Sequence, residues 1–308
     1  MPKVLIGIPT FNGAYRIDWL LQSISMRTNN DIEYKIVICD DSGKKEHQEK
    51  TKSVIKKWSS IPESLPIGLI INDKNMGVAK SWNRIIKSDD SEYIILINDD
   101  IIVAENWLYN MVYFLENNPN AAAACYNCLF IDEKDVLQLL SSEPYVKPID
   151  PSTNTRMNNF SYDVNTHPIR CMSAWGCFFG FSREKYNLVK GFDENYFAYF
   201  EEGDFFTDLA SHGYPNYILR YPKNWHIWSA TSKDDPELDV MGIFKKSEEY
   251  YNKKWNGNYE INNGRYMSKI PFQRVKWVCD NNINESILVG DYGYFKIEID
   301  NMNIKLKE

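Results

Sequence analysis

The chain has 308 residues, and its 44% hydrophobic and 25% charged residues are typical of a globular protein, which excludes a mainly disordered chain. Its formal net charge of −7 disfavours bulk binding to nucleic acid or to an anionic membrane. No apolar run reaches the ~18 residues that span a bilayer, and the first residues are typical of a strand rather than a signal peptide. We therefore expect a cytoplasmic protein, with peripheral contact at the inner membrane face as an alternative.

The six cysteines allow two interpretations. Cys125 and Cys128 have CxxC spacing, and Cys171 and Cys177 could complete a zinc site. Cys171 and Cys177 are not a close ligand pair, however, and Cys125 follows an alanine run that is typical of a strand. Buried, reduced thiols are the favoured interpretation.

Four apolar runs in the first half predict β-strands, and apolar residues at helical spacing between them predict helices. The predicted strands are Val4–Ile8, Tyr34–Cys39, Ile67–Ile71 and Tyr93–Ile97. Strands that alternate with helices indicate parallel βαβ units, and continuous Val and Ile runs indicate strands that are buried on both faces. The expected fold is α/β, with a doubly wound and mostly parallel sheet.

A polar cluster follows each of these strands, at residues 9–13, 40–43, 72–77 and 98–100. Open parallel sheets bind ligands at the carboxyl edge of their strands, near the point where the strand order reverses. A turn needs only one Gly or Asn, so paired carboxylates after hydrophobic strands favour a binding site at this edge.

The second half predicts a helix over Trp107–Leu115, a strand over Phe178–Phe181 and a helix over Glu201–His212. Residues 141–166 are rich in Pro, Ser, Thr and Asn, which is typical of a lid or a binding loop. In the tail, a charged helix precedes two alternating runs, and Asp291-Tyr-Gly293 between those runs predicts a β-hairpin.

The acidic sequence Asn98-Asp99-Asp100 follows the fourth strand. Two adjacent carboxylates repel each other unless a cation or a donor offsets their charge. Hard oxygen ligands suit Mg²⁺ or Mn²⁺ that bridges to a diphosphate. The alternative is a helix N-cap, in which an Asp accepts hydrogen bonds from free backbone N–H groups.

These clusters belong to an ordered set of motifs over about residues 3–231. The motifs are Ile8-Pro9-Thr10-Phe11-Asn12, Ile36–Ser42, Asn75-Met76-Gly77 with Asn83, Leu96–Asp100, Gly176–Arg183, Gly191–Glu194 and Phe200-Glu201-Glu202-Gly203-Asp204. Each motif is weak by itself, but the ordered set resembles the inverting family 2 glycosyltransferases, which have a GT-A fold. The resemblance implies a GT-A domain over 1–240, with a nucleotide-sugar-binding half (1–104) and an acceptor half (105–240). Residues 241–308 would form a C-terminal extension of helix and β-hairpin.

The resemblance also implies a set of donor-binding residues. They are Pro9, Thr10, Asn12, Asp40, Asn75, Gly77, Asn83, Asp99, Trp175 and Gly176. Thr10 and the backbone at Pro9 would hold the nucleoside, Asp40 would accept a hydrogen bond from the base, and Asp99 would lie near the ribose or sugar. Asp40 could instead cap its own turn, and Trp175 could pack in the core rather than line a sugar site.

The metal ligands implied by the resemblance are Asp100, at the end of the DxD-type motif, and His226. They would bind Mn²⁺ or Mg²⁺ together with the donor diphosphate. The family places a general base in a Glu-Asp pair before a helix, and here Glu202 stands where Asp is usual. Asp204 is the second choice for the base, and acids that only favour the helix dipole are the structural alternative.

The sequence therefore predicts a metal-dependent glycosyltransferase that moves a sugar, with inversion, from a nucleoside-diphosphate sugar to an acceptor hydroxyl. A UDP-sugar is the favoured donor, and the acceptor could be a polysaccharide, a lipid-linked glycan, a protein or a modified base. One alternative is a nucleotidyltransferase that makes sugar nucleotides, but residues 9–14 contain one Gly and no Lys for a phosphate loop. The other is a non-catalytic glycan-binding scaffold, which would not need both acidic motifs.

Overall fold

A computed structural model describes residues 3–28, 31–61, 64–141, 146–150, 153, 155–157, 166–172, 176–227, 238–279, 282–287, 299–300 and 303–304. The strands are β1 Val4–Thr10, β2 Tyr34–Asp40, β3 Ile67–Ile71, β4 Tyr93–Ile97, β5 Ile101–Ile102, β6 Ala123–Tyr126, β7 Leu129–Ile131, β8 Ile149–Asp150, β9 Thr155–Arg156, β10 Ile169–Cys171, β11 Phe178–Ser182, β12 Asn216–Leu219, β13 Trp225–Ile227, β14 Arg274–Cys279, β15 Asn282–Ile287, β16 Ile299–Asp300 and β17 Asn303–Ile304. The α-helices are α1 Ala14–Arg27, α2 Lys45–Ser59, α3 Val78–Lys87, α4 Trp107–Asn117, α5 Val136–Leu139, α6 Arg183–Leu188, α7 Glu201–Ser211, α8 Val240–Trp255 and α9 Tyr259–Tyr266, and short 3₁₀ helices lie at Glu133–Asp135 and Met267–Lys269.

Eight strands form the main sheet, in the order β10-β12-β6-β11-β4-β1-β2-β3. The run from β3 to β4 is parallel, whereas β11 is antiparallel to both of its neighbours. Strands β1 and β4 are buried almost throughout, because helices cover both faces of the sheet. The predicted α/β fold class with a mostly parallel sheet is confirmed.

The strand order reverses at β1, which lies between β2 and β4. The chain passes from β1 to β2 and β3 on one side and then returns to β4 on the other side. The carboxyl ends of β1 and β4 therefore flank the crevice in which open α/β sheets bind ligands. Both acidic motifs that were predicted from the first half of the chain follow strands of this edge.

A three-stranded sheet, β5-β13-β7, continues this edge. Its register pairs His226 with Ile101, and the backbone N–H of Ile227 donates to the carbonyl of Asp100 (2.9 Å). This small sheet brings His226, which is distant in sequence, next to Asp100.

The end of the chain adds a helix pair and a hairpin. Strands β14 and β15 form an antiparallel hairpin, and the side chain of Asn118 joins it to α4 through both backbone groups of Lys276. The predicted hairpin at 291–293 lies outside the described residues, as does much of the predicted loop at 141–166. The described residues contain no helix that is long and apolar enough to cross a bilayer. The division of domains at residue 240 stays a prediction.

Candidate active site

A cavity of about 790 Å³ opens at the carboxyl edge of β1 and β4, and this volume suits a nucleotide-sized ligand. The N-terminus of α7 and one face of α8 close its far side. The sequence-predicted site residues that line it are Pro9, Thr10, Asp99, Asp100, Gly176, Glu202 and His226. The structure thus brings together the predicted metal ligands, the predicted base and part of the predicted donor site.

The remaining predicted residues do not line this cavity. Asp40 ends β2, Asn12, Asn75 and Gly77 lie in the connections after β1 and β3, Asn83 and Asp204 are buried in helices, and Trp175 is outside the described residues. Asn12 has a left-handed backbone (φ 57°), and its buried Oδ1 has no hydrogen-bond partner among the described residues.

Asp99 is held by a buried arginine that the sequence analysis did not identify. Arg16, which is 1% exposed, donates from Nε to Oδ1 of Asp99 (3.0 Å), and the Thr10 hydroxyl donates to Oδ2 (2.5 Å). Burial raises the pKa of Asp99, and the Arg16 charge opposes that rise. Asp99 therefore lines the cavity as one half of an ion pair that joins β4 to α1.

Asp100 and His226 form a second charged pair. Nε2 of His226 lies 3.2 Å from Oδ1 of Asp100. Burial opposes ionisation of both groups, but their mutual attraction outweighs it, so the pKa of Asp100 is lowered and that of His226 is raised well above its ordinary value. The 3.2 Å contact is poorly aligned for a hydrogen bond, so Oδ1 of Asp100, like Nδ1 of His226, is buried without a well-formed hydrogen bond among the described residues.

This donor set fits a divalent cation. A carboxylate and an imidazole suit Mn²⁺, and the carboxylate oxygen without a hydrogen-bond partner is an available ligand atom. Within the described part of the chain, no group of three or more His, Cys, Asp or Glu side chains is placed to hold a metal. The further ligands would therefore have to come from a bound diphosphate and from water.

The six cysteines are all buried, and none of them forms a disulfide. Cys177 lies at the cavity, where its thiol interacts with the Cys128 thiol and with the His226 imidazole. This agrees with the favoured interpretation of buried thiols.

Asp40 combines two features that were predicted as alternatives. Its Oδ1 accepts hydrogen bonds from the backbone N–H (2.9 Å) and the hydroxyl (2.5 Å) of Ser42, which is the turn-capping arrangement. Its Oδ2 is buried and has no hydrogen-bond partner among the described residues. One carboxylate oxygen therefore caps the turn, and the other is left without a partner among the described residues and does not line the cavity.

Asp41, which the sequence analysis left unassigned, lies at the cavity and organises its rim. Its carboxylate accepts hydrogen bonds from the backbone N–H groups of Met76 (2.7 Å) and Gly77 (2.8 Å). Gly77 has a φ of 88°, and a Cβ there would collide with the carbonyl of Phe197. Asp41 and Gly77 thereby fix the turn before α3 against the segment that precedes α7. The adjacent acids Asp40 and Asp41 at the end of β2 were the feature of the sequence from which a role for Asp41 could have been predicted.

Asn83 is occupied by structural contacts. Its amide nitrogen donates to the carbonyl of Phe192 (2.8 Å) and to Glu194 (2.9 Å), and its oxygen accepts from Tyr186 (2.9 Å). These bonds attach the turn at Gly191–Glu194 to α3. Donor binding by Asn83 stays a prediction.

Glu202 lies at the start of α7, where the backbone is strained. Tyr199 and Phe200 have left-handed φ values of 65° and 69°, which non-glycine residues seldom adopt. Burial raises the pKa of Glu202, against hydrogen bonds from backbone groups that include Gly176. Its Oε2 has no hydrogen-bond partner among the described residues. Glu201 beside it is 5% exposed, and burial together with Glu202 raises its pKa well above the ordinary value.

Asp204 faces away from the cavity. It accepts hydrogen bonds from Lys254 (2.8 Å), from the Trp255 indole (2.8 Å) and from Tyr196 (3.2 Å). These contacts connect α7 to the end of α8.

The mostly parallel α/β sheet carries an acidic cavity at its switch point, and solved structures share this architecture. The fold is therefore the GT-A fold of glycosyltransferases. The model of the family described as "Glycosyl transferase family 2" matches residues 5–188, which is more than half of the chain. The chain belongs to glycosyl transferase family 2. The predicted family and enzyme class are confirmed, whereas inversion and the DxD assignment stay predictions.

Two curated relatives match part of the chain. An uncharacterized glycosyltransferase of Haemophilus influenzae is 25% identical over 115 residues, which are 37% of this chain and 35% of that protein. The poly(ribitol-phosphate) beta-N-acetylglucosaminyltransferase TarP of Staphylococcus aureus is 27% identical over 128 residues, which are 41% of this chain and 37% of that protein. The match spans little more than a third of either relative.

Three solved structures share the fold. GalNAc-T7 with UDP, GalNAc and Mn²⁺ has a TM-score of 0.61 at 15% identity, over 89% of this chain and 59% of that chain. The mannosyltransferase PcManGT of Pyrobaculum calidifontis with GDP-Man and Mn²⁺ has a TM-score of 0.57 at 18% identity, over 87% and 68%. TarS of S. aureus with UDP-GlcNAc has a TM-score of 0.58 at 12% identity, over 85% and 69%. At these identities the likeness concerns the fold.

Proposed function

We propose that this protein transfers a sugar, with inversion, from a nucleoside-diphosphate sugar to an acceptor hydroxyl, with help from Mn²⁺ or Mg²⁺. The observation that carries the proposal is that one cavity contains both the Asp100–His226 pair and the carboxylate of Glu202, which lacks a hydrogen-bond partner among the described residues. A UDP-sugar is the favoured donor, because GalNAc-T7 and TarS, which share the fold, bind UDP or UDP-GlcNAc in their structures.

The donor would bind along the ends of β1 and β2. Pro9 and Thr10 would present backbone to the nucleoside, and the available Oδ2 of Asp40 would accept a hydrogen bond from the base. Arg16 holds Asp99 in place, so the Asp99 carboxylate would meet the ribose or sugar in a fixed orientation. Gly176, which lines the cavity beside Glu202, would lie next to the sugar.

Asp100 and His226 would hold the metal with the donor diphosphate. When bound, the cation would offset the charge that develops on the leaving diphosphate. Without a cation, the two side chains offset each other's charge, and His226 would have to release its proton to bind the metal.

Glu202 would act as the general base. The acceptor oxygen attacks the anomeric carbon, the acceptor proton passes to Glu202, and the bond from that carbon to the diphosphate breaks, so that the nucleoside diphosphate leaves with the electron pair. A carboxylate whose pKa is raised by burial is a stronger base than an exposed one, which suits this step. The contacts of Asp204 with Lys254 and Trp255 favour a structural role for it.

The proposal is tested by incubating the full chain with a panel of UDP-, GDP- and dTDP-sugars plus Mn²⁺, with a set of neutral sugars and water as acceptors, and measuring the release of free nucleoside diphosphate. We expect release from at least one donor, with loss of release after EDTA treatment and in Asp100→Ala and His226→Gln. Asp90→Ala is the control, because Asp90 is exposed and precedes β4 at the opposite edge of the sheet. Full activity after thorough chelation would contradict the metal assignment, and no cleavage of any donor would contradict the function.

A further inference from the structure

The cavity continues beyond Glu202 along a wall of aromatic side chains. Tyr199, Phe200 and Tyr259 line it, together with Phe244 on α8. Phe200 and Tyr259 stack with their rings nearly parallel (5°, centroids 5.4 Å apart), and Phe244 meets Tyr199 edge to face at 5.6 Å. The wall therefore joins the segment before α7 to the two C-terminal helices.

Parts of this wall are exposed to the cavity. Tyr199 is 41% exposed and Phe244 is 36% exposed, and both line the cavity. Ile243 and Leu238 also line this side of the cavity. An aromatic face that lines a cavity beside the proposed base, Glu202, is typical of a ligand subsite rather than of ordinary exposed surface.

The charges on this side have one sign. Glu248 lies on α8 one turn after Phe244 and lines the cavity with Glu202. The described lining residues include no Lys or Arg. A polyanion would be repelled here, whereas neutral hydroxyl groups can donate hydrogen bonds to these carboxylates.

The wall is also held rigidly. Ser247 of α8 donates to the carbonyl of Ala198 (2.8 Å), and Tyr251 shares a hydrogen bond with Thr207 of α7 (2.6 Å). Lys254 bonds to Asp204. A subsite with a fixed shape binds its ligand at a lower entropic cost, because little has to be ordered on binding.

We propose that this wall is the acceptor subsite and that it binds an uncharged sugar ring; this inference rests on the proposed glycosyl transfer. The C–H face of the ring packs on Phe244 and Tyr199, since its hydrogens complement the negative face of an aromatic ring. Glu248 accepts hydrogen bonds from the ring hydroxyls, and the reacting hydroxyl points toward Glu202. The S. aureus relative TarP is named for poly(ribitol-phosphate), a polyanion, and this wall favours a different acceptor class.

The test measures binding to the full chain with Mn²⁺ present. Calorimetry with UDP and with GDP reports on the donor site. Saturation-transfer NMR, with UDP or GDP bound, measures the binding of acceptor probes. The neutral probes are cellobiose, lactose and N,N′-diacetylchitobiose, and the anionic probe is ribitol 5-phosphate. The variants are Phe244→Ala and Glu248→Gln, and Phe272→Ala is the matched control. Phe272 is 57% exposed, contacts Arg170 and lies outside the cavity.

We expect at least one neutral disaccharide to bind more tightly than ribitol 5-phosphate. Phe244→Ala should weaken that binding at least tenfold and Glu248→Gln at least threefold, while Phe272→Ala stays at the wild-type value. If nucleotide binding persists, any of three results would overturn the acceptor assignment. These are stronger binding of ribitol 5-phosphate than of the disaccharides, no binding of any disaccharide, and unchanged disaccharide affinity in Phe244→Ala. Failure of both UDP and GDP to bind the wild-type chain would instead count against the proposed function.

Discussion

Gly176 lies directly against the side chain of Glu202. A Cβ on Gly176 would stand 2.5 Å from Cγ of Glu202 and 2.8 Å from its Oε1, closer than real Cβ atoms approach their neighbours. A backbone hydrogen bond from Gly176 also lowers the pKa of the carboxyl, although burial raises it more. Gly176, two residues before β11, therefore fixes where the proposed base points.

Gly176→Ala should displace the Glu202 carboxylate and lower kcat by about 10–100-fold, since a shift of about 1 Å in a reacting group can cost that much. Nucleotide affinity and the melting temperature report whether the remainder of the fold is intact. Gly264→Ala is the matched control, because a Cβ there meets nothing within 4 Å. Wild-type kcat in Gly176→Ala would mean that the carboxylate does not need this position.

Glu202→Gln should lower kcat by about 10²–10⁴-fold, because glutamine keeps the shape of the side chain but cannot accept the proton. Steady-state kinetics with saturating donor measure the effect. Asp204→Asn is the comparison, and it should affect the melting temperature more than kcat. A larger loss of kcat in Asp204→Asn than in Glu202→Gln would move the base to Asp204.

The pH profile offers an independent check on the base. Glu202 must be ionised to accept a proton, so activity should fall as the pH drops through its pKa. Because burial raises that pKa, the acidic limb should lie above the pH at which an ordinary glutamate titrates. The profile of kcat/KM against pH measures this limb, and Glu202→Gln should remove it from the residual activity. If activity instead fell at the pH at which an ordinary glutamate titrates, the result would argue against a buried base.

Much of the donor half could be predicted from the sequence. The strands β1 to β4 are apolar runs that end in polar clusters, and the parallel topology brings those clusters to one edge. The sequence order of the motifs identified the family, which the match over residues 5–188 confirms. Local periodicity and short motifs carry this information because the βαβ units are contiguous in the chain.

The contacts between distant segments could not be predicted. Arg16 was not identified from the sequence, yet it is buried against Asp99, which is 83 positions away in sequence. The exposed ring of Phe244 gave no signal, because the sequence does not show that α8 packs beside α7. Pairings of this kind depend on tertiary packing rather than on residue spacing.

Asp40 gives a prediction that separates its two features. Asp40→Ala should raise the donor KM by about five- to 150-fold, the equivalent of about 1–3 kcal/mol for the loss of a buried hydrogen bond to the base. It should also lower the melting temperature, because the Ser42 turn loses its cap. Ser42→Ala is the control: it removes only the hydroxyl bond to Oδ1 and leaves Oδ2 available. Equal changes of donor KM in both variants would assign Asp40 to the turn alone.

The ion pair between Asp204 and Lys254 gives a prediction about the C-terminal helices. Asp204 is 4% exposed, and its carboxylate depends on Lys254, Trp255 and Tyr196 for hydrogen bonds. Lys254→Met keeps the length of the side chain but removes the charge, so it leaves a buried carboxylate with fewer donors. We expect the free energy of unfolding to fall by about 1–3 kcal/mol.

Chemical denaturation measures this loss, and Lys253→Met on the exposed side of the same helix is the control. In the double variant Asp204→Asn/Lys254→Met the loss should be smaller than the sum of the two single losses, because either change alone already breaks the pair. If α8 also carries the acceptor subsite, Lys254→Met should raise the acceptor KM more than the donor KM, since the donor site lies on β1, β2 and β4. Additive losses in the double variant would mean that the two side chains do not stabilise each other, and that other contacts hold α8 beside α7.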